Sequence, residues 1–162
     1  MAAPLTFTIR LALEADAAGI LNCLADAFAP YQSSYTAEAF MDTVLSAETI
    51  KHRMKNMKIF VAELQTSGAI IGTVACSVVS RQEGHLRGMA VLPAYLGSGV
   101  AQQLLETAEA ELRAQKCIRI TLDTTEPLIR AMNFYRRNGF RPSGRVTDFF
   151  DMPLYEYEKD LK

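Results

Sequence analysis

The stretch VLPAYLGSGVAQQLL, Val91 to Leu105, constrains this chain more than any other. Its first residues end an apolar run that reads as a strand. Its last residues open a helix with apolar positions at Val100, Leu104, Leu105 and Ala108. Between them stand a proline and two glycines spaced Gly97-x-Gly99. Strand, glycine turn and helix in that order bring free N–H groups and the positive end of a helix dipole to one point, which favours a bound anion. Glycine at the turn lets the backbone approach such a ligand closely.

Spacing separates the kinds of anion site. A P-loop requires GxxxxGK[ST], and no Gly-Lys pair occurs. A dinucleotide fingerprint is the stronger rival, because Asp123 ends the next predicted strand, where a ribose-binding acid sits. Its third glycine, however, falls on Gln102, and five residues, Leu92 to Leu96, separate the strand from the first glycine. The stretch after Asp123 is also expected to be too short for a second mononucleotide half.

The flanking segments supply the rest of the fold. FTIRLAL (Phe7 to Leu13) alternates as a half-buried strand does, and Asp16 stands where it would cap a helix through Ile20, Leu21, Leu24, Ala27 and Phe28 that ends before Pro30. APYQSSY reads as a polar loop, and Thr36 and Ser46 each start one of two short helices reaching to about Met57. KIFVAEL and AIIGTVACSVVS form a hairpin across QTSG, followed by a strand from about His85 to Leu92. The glycine-turn helix carries Glu109 and Arg113 four residues apart on an expected exposed face. CIRITLD is a strand, and a helix from Pro127 to Arg137 ends at Gly139, a natural C-cap. Two more strands occupy the tail. The order β α α β β β α β α β β predicts a mixed α/β domain, with about seven strands in a twisted mixed sheet flanked by about four helices. No internal repeat or linker interrupts it, so residues 1–162 are expected to form a single domain.

Composition narrows the partners. The 17 basic and 18 acidic residues leave a net charge of −1, which gives no electrostatic footprint for nucleic acid or an anionic membrane. The start of the chain lacks a secretory pattern and no window approaches a membrane span, so a cytoplasmic protein is expected. Cys23, Cys76 and Cys117 are odd in number and lie in apolar segments, as buried reduced thiols do. With two histidines and no CxxC, no metal site is expected.

Taken together, His85 to Gly144 resembles the GNAT superfamily of acyl-CoA-dependent N-acyltransferases. The family pattern is apolar-Ala-Val-x-Pro ending a strand, R/Q-x-x-G-x-G/A opening a helix, a second strand, and a helix ending in F/L-Y-x-x-x-G-F. Here these are MAVLP, Leu96-Gly-Ser-Gly99-Val-Ala101, ITLD and FYRRNGF. The resemblance covers about 60 residues and implies acetyl-CoA as cosubstrate. Gly97, Ser98, Gly99, Val100, Ala101 and Gln102 would cradle its pyrophosphate, and the strand edge at Met89, Ala90 and Val91 would pair with its pantetheine amides. Two positions depart from the family: Leu96 replaces the usual Arg or Gln, and Leu128 replaces a frequent Asn.

The resemblance also implies acyl transfer to a primary amine by direct attack in a ternary complex. Tyr135 matches the family's general acid, and the Met89 N–H its oxyanion donor. His85 lies where several members carry a His or Glu base, and strand alternation puts Glu83, His85 and Arg87 on one polar face. Arg130, Arg136, Arg137, Arg141 and Arg145 are expected on a solvated face, the alternative being contact with the cofactor's 3′-phosphate or an acidic acceptor, and His52 amid KHRMKNMK is expected to be solvated too. Family loops at APYQSSY and RVTDFFD line the acceptor pocket, which makes Tyr31, Tyr35, Arg87, Asp148, Phe149 and Phe150 the substrate-binding candidates. The acceptor is a small-molecule or peptide amine, and homodimerisation through the tail strands is common in such proteins. The alternative from another class is a non-catalytic acyl-CoA-binding or sensor module on the same fold, which Leu96 and Leu128 favour and Tyr135 opposes.

Overall fold

The computed structural model describes residues 4–161; residues 1–3 and 162, which the single-domain reading includes, lie outside the described residues. Seven strands form one sheet: β1 (Phe7–Leu11), β2 (Lys58–Leu64), β3 (Ile70–Ser80), β4 (Glu83–Val91), β5 (Arg119–Thr124), β6 (Arg141–Phe149) and β7 (Met152–Asp160). Their spatial order is β1-β2-β3-β4-β5-β7-β6, antiparallel throughout except for the β4–β5 pair. The helices are α1 (Ala17–Phe28), α2 (Ala37–Val44), α3 (Ala47–Asn56), α4 (Val100–Ala114) and α5 (Ile129–Arg137). Five helices stand where about four were expected, and Thr36 and Ser46 each cap their own, as the sequence suggests. The Thr36 hydroxyl accepts from the Ala39 N–H at 3.3 Å, and Ser46 and Thr49 exchange side-chain to backbone bonds of 2.7 and 3.2 Å.

Alternation along β2 and β3 divides the interior in two. Phe60, Ala62, Val74 and Cys76 face α4 and its buried stripe of Val100, Leu104, Leu105, Ala108 and Leu112. Ile59, Val61 and Ala75 face the opposite way, onto Ile20, Cys23, Leu24 and Ile50 of α1 and α3. The sheet is thus covered on both sides, which is why its central strands read as nearly continuous apolar runs. Each fully buried leucine contributes about 1.5–3 kcal/mol. All three cysteines are free and buried. Among the described residues no helix is long and apolar enough to cross a membrane.

Three local expectations are corrected. APYQSSY is not an irregular loop: Ala29–Ser34 continues α1 as a 3-10 helix, with Pro30 tolerated in its first turn. Glu109 is not on an exposed face. It is 5% exposed, and its carboxylate accepts from Lys159 Nζ at 2.9 and 3.0 Å while Arg113 approaches from outside. Asp16 does not cap α1; the carboxylate instead accepts from the Leu13 N–H and from both terminal nitrogens of Arg10, at 2.7 and 2.9 Å. These bonds hold the Asp16 carboxyl below its ordinary value of 3.8, the Arg10 guanidinium being the largest cause. A depressed carboxylate stabilises the fold above its unfolded pKa and loses that contribution as pH falls through the folded one. Asp16→Asn should therefore cost about 1 kcal/mol in urea unfolding at neutral pH, with the difference vanishing in acid.

Candidate active site

The site begins where β4 leaves its neighbours. Its parallel pairing with β5 runs only from Glu83 opposite Arg119 to Leu86 opposite Leu122, yet β4 continues to Val91. On the other side, the register with β3 steps from Thr73 opposite Ala90 to Ala75 opposite Arg87, so Gly88 and Met89 stand against Val74 alone. This is a β-bulge, and Gly88 carries it at φ +60°, where a side chain is disfavoured. The bend opens a cleft of about 580 Å³ between β4 and β5, reaching from the glycine turn to the 3-10 segment after α1. Met89, Ala90 and Val91 all line it.

At one end lies the start of α4. Gly97 and Gly99 have φ of +78° and +89°, and a Cβ on Gly99 would meet nothing within 4 Å. The first helical bond runs from the Gln103 N–H to Gly99 O at 3.1 Å. The N–H groups of Gly97, Gly99, Val100, Ala101 and Gln102 have no protein acceptor among the described residues. Such a cluster of unpaired amides at a helix N-terminus fits a pyrophosphate. Of Ser98, Val100 and Gln102, only Val100 and Gln102 have a free backbone N–H for this purpose; the Ser98 N–H donates to Tyr95 O at 3.3 Å, which corrects its place in the cradle. The Ser98 hydroxyl is turned to Tyr95 O, and the Val100 side chain is core. The Gln102 amide donates to Asn138 Oδ1 at 2.9 Å and Glu106 Oε1 at 3.1 Å.

Leu96 and Leu128 do line the cleft, and so do Arg130 and Arg137. Both arginines are exposed at its rim, as the solvated-face expectation has it. The Arg130 guanidinium comes within 3.8 Å of where a Cβ on Gly97 would stand. Arg136 instead donates to the Tyr157 hydroxyl, while Arg141 and Arg145 pair with carboxylates of β7.

Midway along the cleft, Tyr135 projects from α5. It is 7% exposed, with Phe134 and Phe140 edge-on at 5.5 and 5.6 Å. Its hydroxyl has no hydrogen-bond partner among the described residues, and burial pushes the phenol well above its usual value. Across from it, His85 Nδ1 is 2.8 Å from Thr121 Oγ1, and Nε2 is 3.5 Å from Asp123 Oδ2. Burial pulls the imidazole below its usual value, partly offset by the Asp123 charge, and pushes the Asp123 carboxyl up. Asp123 was assigned only to the rejected dinucleotide pattern. The parallel pairing of β4 and β5 sets His85 opposite Thr121, and residue 123 shares its face.

The far end holds Tyr31, Tyr35, Arg87 and Phe149, with the Tyr35 hydroxyl 2.8 Å from Thr125 Oγ1. Asp148 and Phe150 do not line it. Strand alternation turns only Phe149 inward; the Asp148 carboxylate accepts from the Asp151 N–H at 3.4 Å, and Phe150 is exposed at the hairpin tip. Three lining residues come from the short helices and were not anticipated: Asp42, 3.5 Å from Arg87, and Thr43, both of α2, and Arg53 of α3. His52 beside it is exposed, as expected.

Comparison with known proteins agrees with this fold. The fold matches an acetyltransferase of the GNAT family from Staphylococcus aureus, with a TM-score of 0.79 at 20% identity over 97% of this chain and 100% of that one. It matches equally well a PaiA N-acetyltransferase from Thermoplasma acidophilum, solved with coenzyme A, with a TM-score of 0.79 at 17% identity over 96% and 99% of the two chains. By sequence, the chain is 32% identical over 84 residues to N-alpha-acetyltransferase 30 of Saccharomyces cerevisiae, covering 49% of this chain and 48% of the relative. It is 28% identical over 87 residues to glucosamine 6-phosphate N-acetyltransferase of Trypanosoma brucei brucei, covering 50% and 57%. The chain spans about half the length of these curated relatives. The family model of the acetyltransferase (GNAT) family matches residues 21–140, from α1 through the Tyr135 helix, and the chain belongs to that family.

Proposed function

We propose that the protein moves an acetyl group from acetyl-CoA to a primary amine by direct attack within a ternary complex. The observation that carries this reading is that one cleft joins the unpaired amides of Gly97, Gly99, Ala101 and Gln102 to the Gly88–Met89 bulge, Tyr135 and the His85–Asp123 pair. The α4 amides, with Arg130 beside them, hold the phosphates. Edge groups of β4, released from β5 beyond Leu86, pair with the pantetheine arm. The acceptor amine must lose a proton before attack, and the His85–Asp123 pair takes it. Negative charge developing on the acetyl oxygen meets the Met89 N–H in the bulge. As the C–S bond breaks, Tyr135 protonates the sulfur. A raised phenol pKa does not oppose this step, because the same burial penalises a thiolate in that position.

The protein lies in the cytoplasm in this reading, and tail-strand dimerisation is not required for the chemistry. Calorimetric titration is expected to show micromolar binding of acetyl-CoA and none of NAD. Mixing with a suitable amine then releases thiol at a rate that depends on the amine. Binding without amine-dependent thiol release across a broad screen would favour the sensor module instead.

A further inference from the structure

We infer that Arg53 forms an anion subsite beside the Gly88 bulge, so that the acceptor is a small amine bearing a carboxylate within a few bonds of its amino group, a free amino acid. This deepens the proposed acetyl transfer and rests on it. The Arg53 guanidinium lies over Gly88: a Cβ on that glycine would stand 2.7 Å from its Nη1. Met89, the proposed oxyanion donor, is the next residue, so an anion held by Arg53 sits close to the reacting carbonyl.

The charge balance of this end of the cleft leaves Arg53 without a direct partner, because Asp42 pairs with Arg87 and acts on Arg53 only from beyond ion-pair distance. Arg87 is 3.5 Å from Asp42, and His85 is 3.5 Å from Asp123. Arg53 has no carboxylate within ion-pair distance and no hydrogen-bond acceptor among the described residues, although it is largely withdrawn from solvent. An unpaired, partly desolvated guanidinium is costly in the free protein, and a carboxylate ligand removes that cost through two parallel N–H···O bonds. Burial and the neighbouring Arg87 charge pull the Arg53 guanidinium down to about 10, which leaves it protonated at neutral pH. A peptide N-terminus presents a neutral amide where the amino acid presents its carboxylate, and so leaves the cation unmatched.

The test measures kcat/KM at saturating acetyl-CoA for the common amino acids, each beside its carboxamide and its decarboxylated amine. The proteins are the wild type, Arg53→Gln and Arg53→Lys, each first shown to unfold cooperatively and to bind acetyl-CoA. The wild type should prefer at least one amino acid over its carboxamide about tenfold or more, through KM. Arg53→Gln should bring that ratio near one, and Arg53→Lys should restore part of it. A merely structural Arg53 would lower both rates and leave the ratio alone. Carboxamides or decarboxylated amines used as well as the amino acids would overturn the subsite while leaving acetyl transfer standing. A preference that survives in Arg53→Gln, or acetyl-CoA binding with no transfer to any of the three series, overturns the subsite as well. Failure of the wild type to bind acetyl-CoA removes the acetyltransferase reading and the subsite together.

Discussion

Tyr135→Phe should lower kcat about a hundredfold or more while leaving the Kd for acetyl-CoA within about twofold. The two effects separate because of how the residue is held. Its ring packs against Phe134 and Phe140, and phenylalanine keeps those contacts. Its hydroxyl bonds nothing among the described residues, so its removal orphans no buried partner there and should not lower stability. What disappears is a proton source beside the departing sulfur. A hundredfold loss corresponds to about 2.7 kcal/mol of barrier. Stopped-flow thiol release distinguishes this step from product release. A variant that turns over at the wild-type rate would transfer the general-acid role to water or to another side chain.

The second large effect concerns the base. His85→Ala should reduce kcat/KM for the acceptor about a hundredfold and abolish the acidic limb of its pH profile. Because burial lowers the imidazole pKa, the wild-type limb should lie below 6.5, with activity lost as pH falls through it. Asp123 opposes that burial by its charge, so Asp123→Asn should move the limb to still lower pH. His85 and Asp123 are close enough that the two titrate as a pair, and the limb reports the pair. An unchanged limb in His85→Ala would assign proton removal to a water chain.

Much of the scaffold was legible in residues whose local preference and tertiary role coincide. KIFVAEL is β-branched and apolar because it is covered on both faces, and β2 occupies Lys58–Leu64 as expected. The glycine turn is likewise visible, since only a left-handed backbone needs glycine there. Less legible were side chains whose partners are distant in sequence. Glu109 has an Arg four residues on, the sign of a solvated pair, but Lys159 from the far end of the sheet draws it inward. Asp16 has the residue type of a cap and is captured by Arg10.

The candidate site divides along the same line. Met89, Tyr135 and the α4 amides stand at fixed positions within the spaced segments MAVLP, LGSGVA and FYRRNGF. Asp123 required the strand register, and Asp42 and Arg53 required the packing of two short helices whose composition resembles any exposed surface. Asp148 failed for a smaller reason, one step of alternation along β6.

The strand order has a consequence for how the molecule comes into being. β7 lies between β5 and β6, so the two strands flanking the Tyr135 helix are joined only through β7 and stay unconnected until it arrives. A nascent chain emerging from the ribosome would carry the glycine turn, His85 and Tyr135 well before the sheet that holds them is closed. Formation of a competent cleft therefore waits on Met152 to Asp160, a late and sequence-distant pairing of the kind that slows folding.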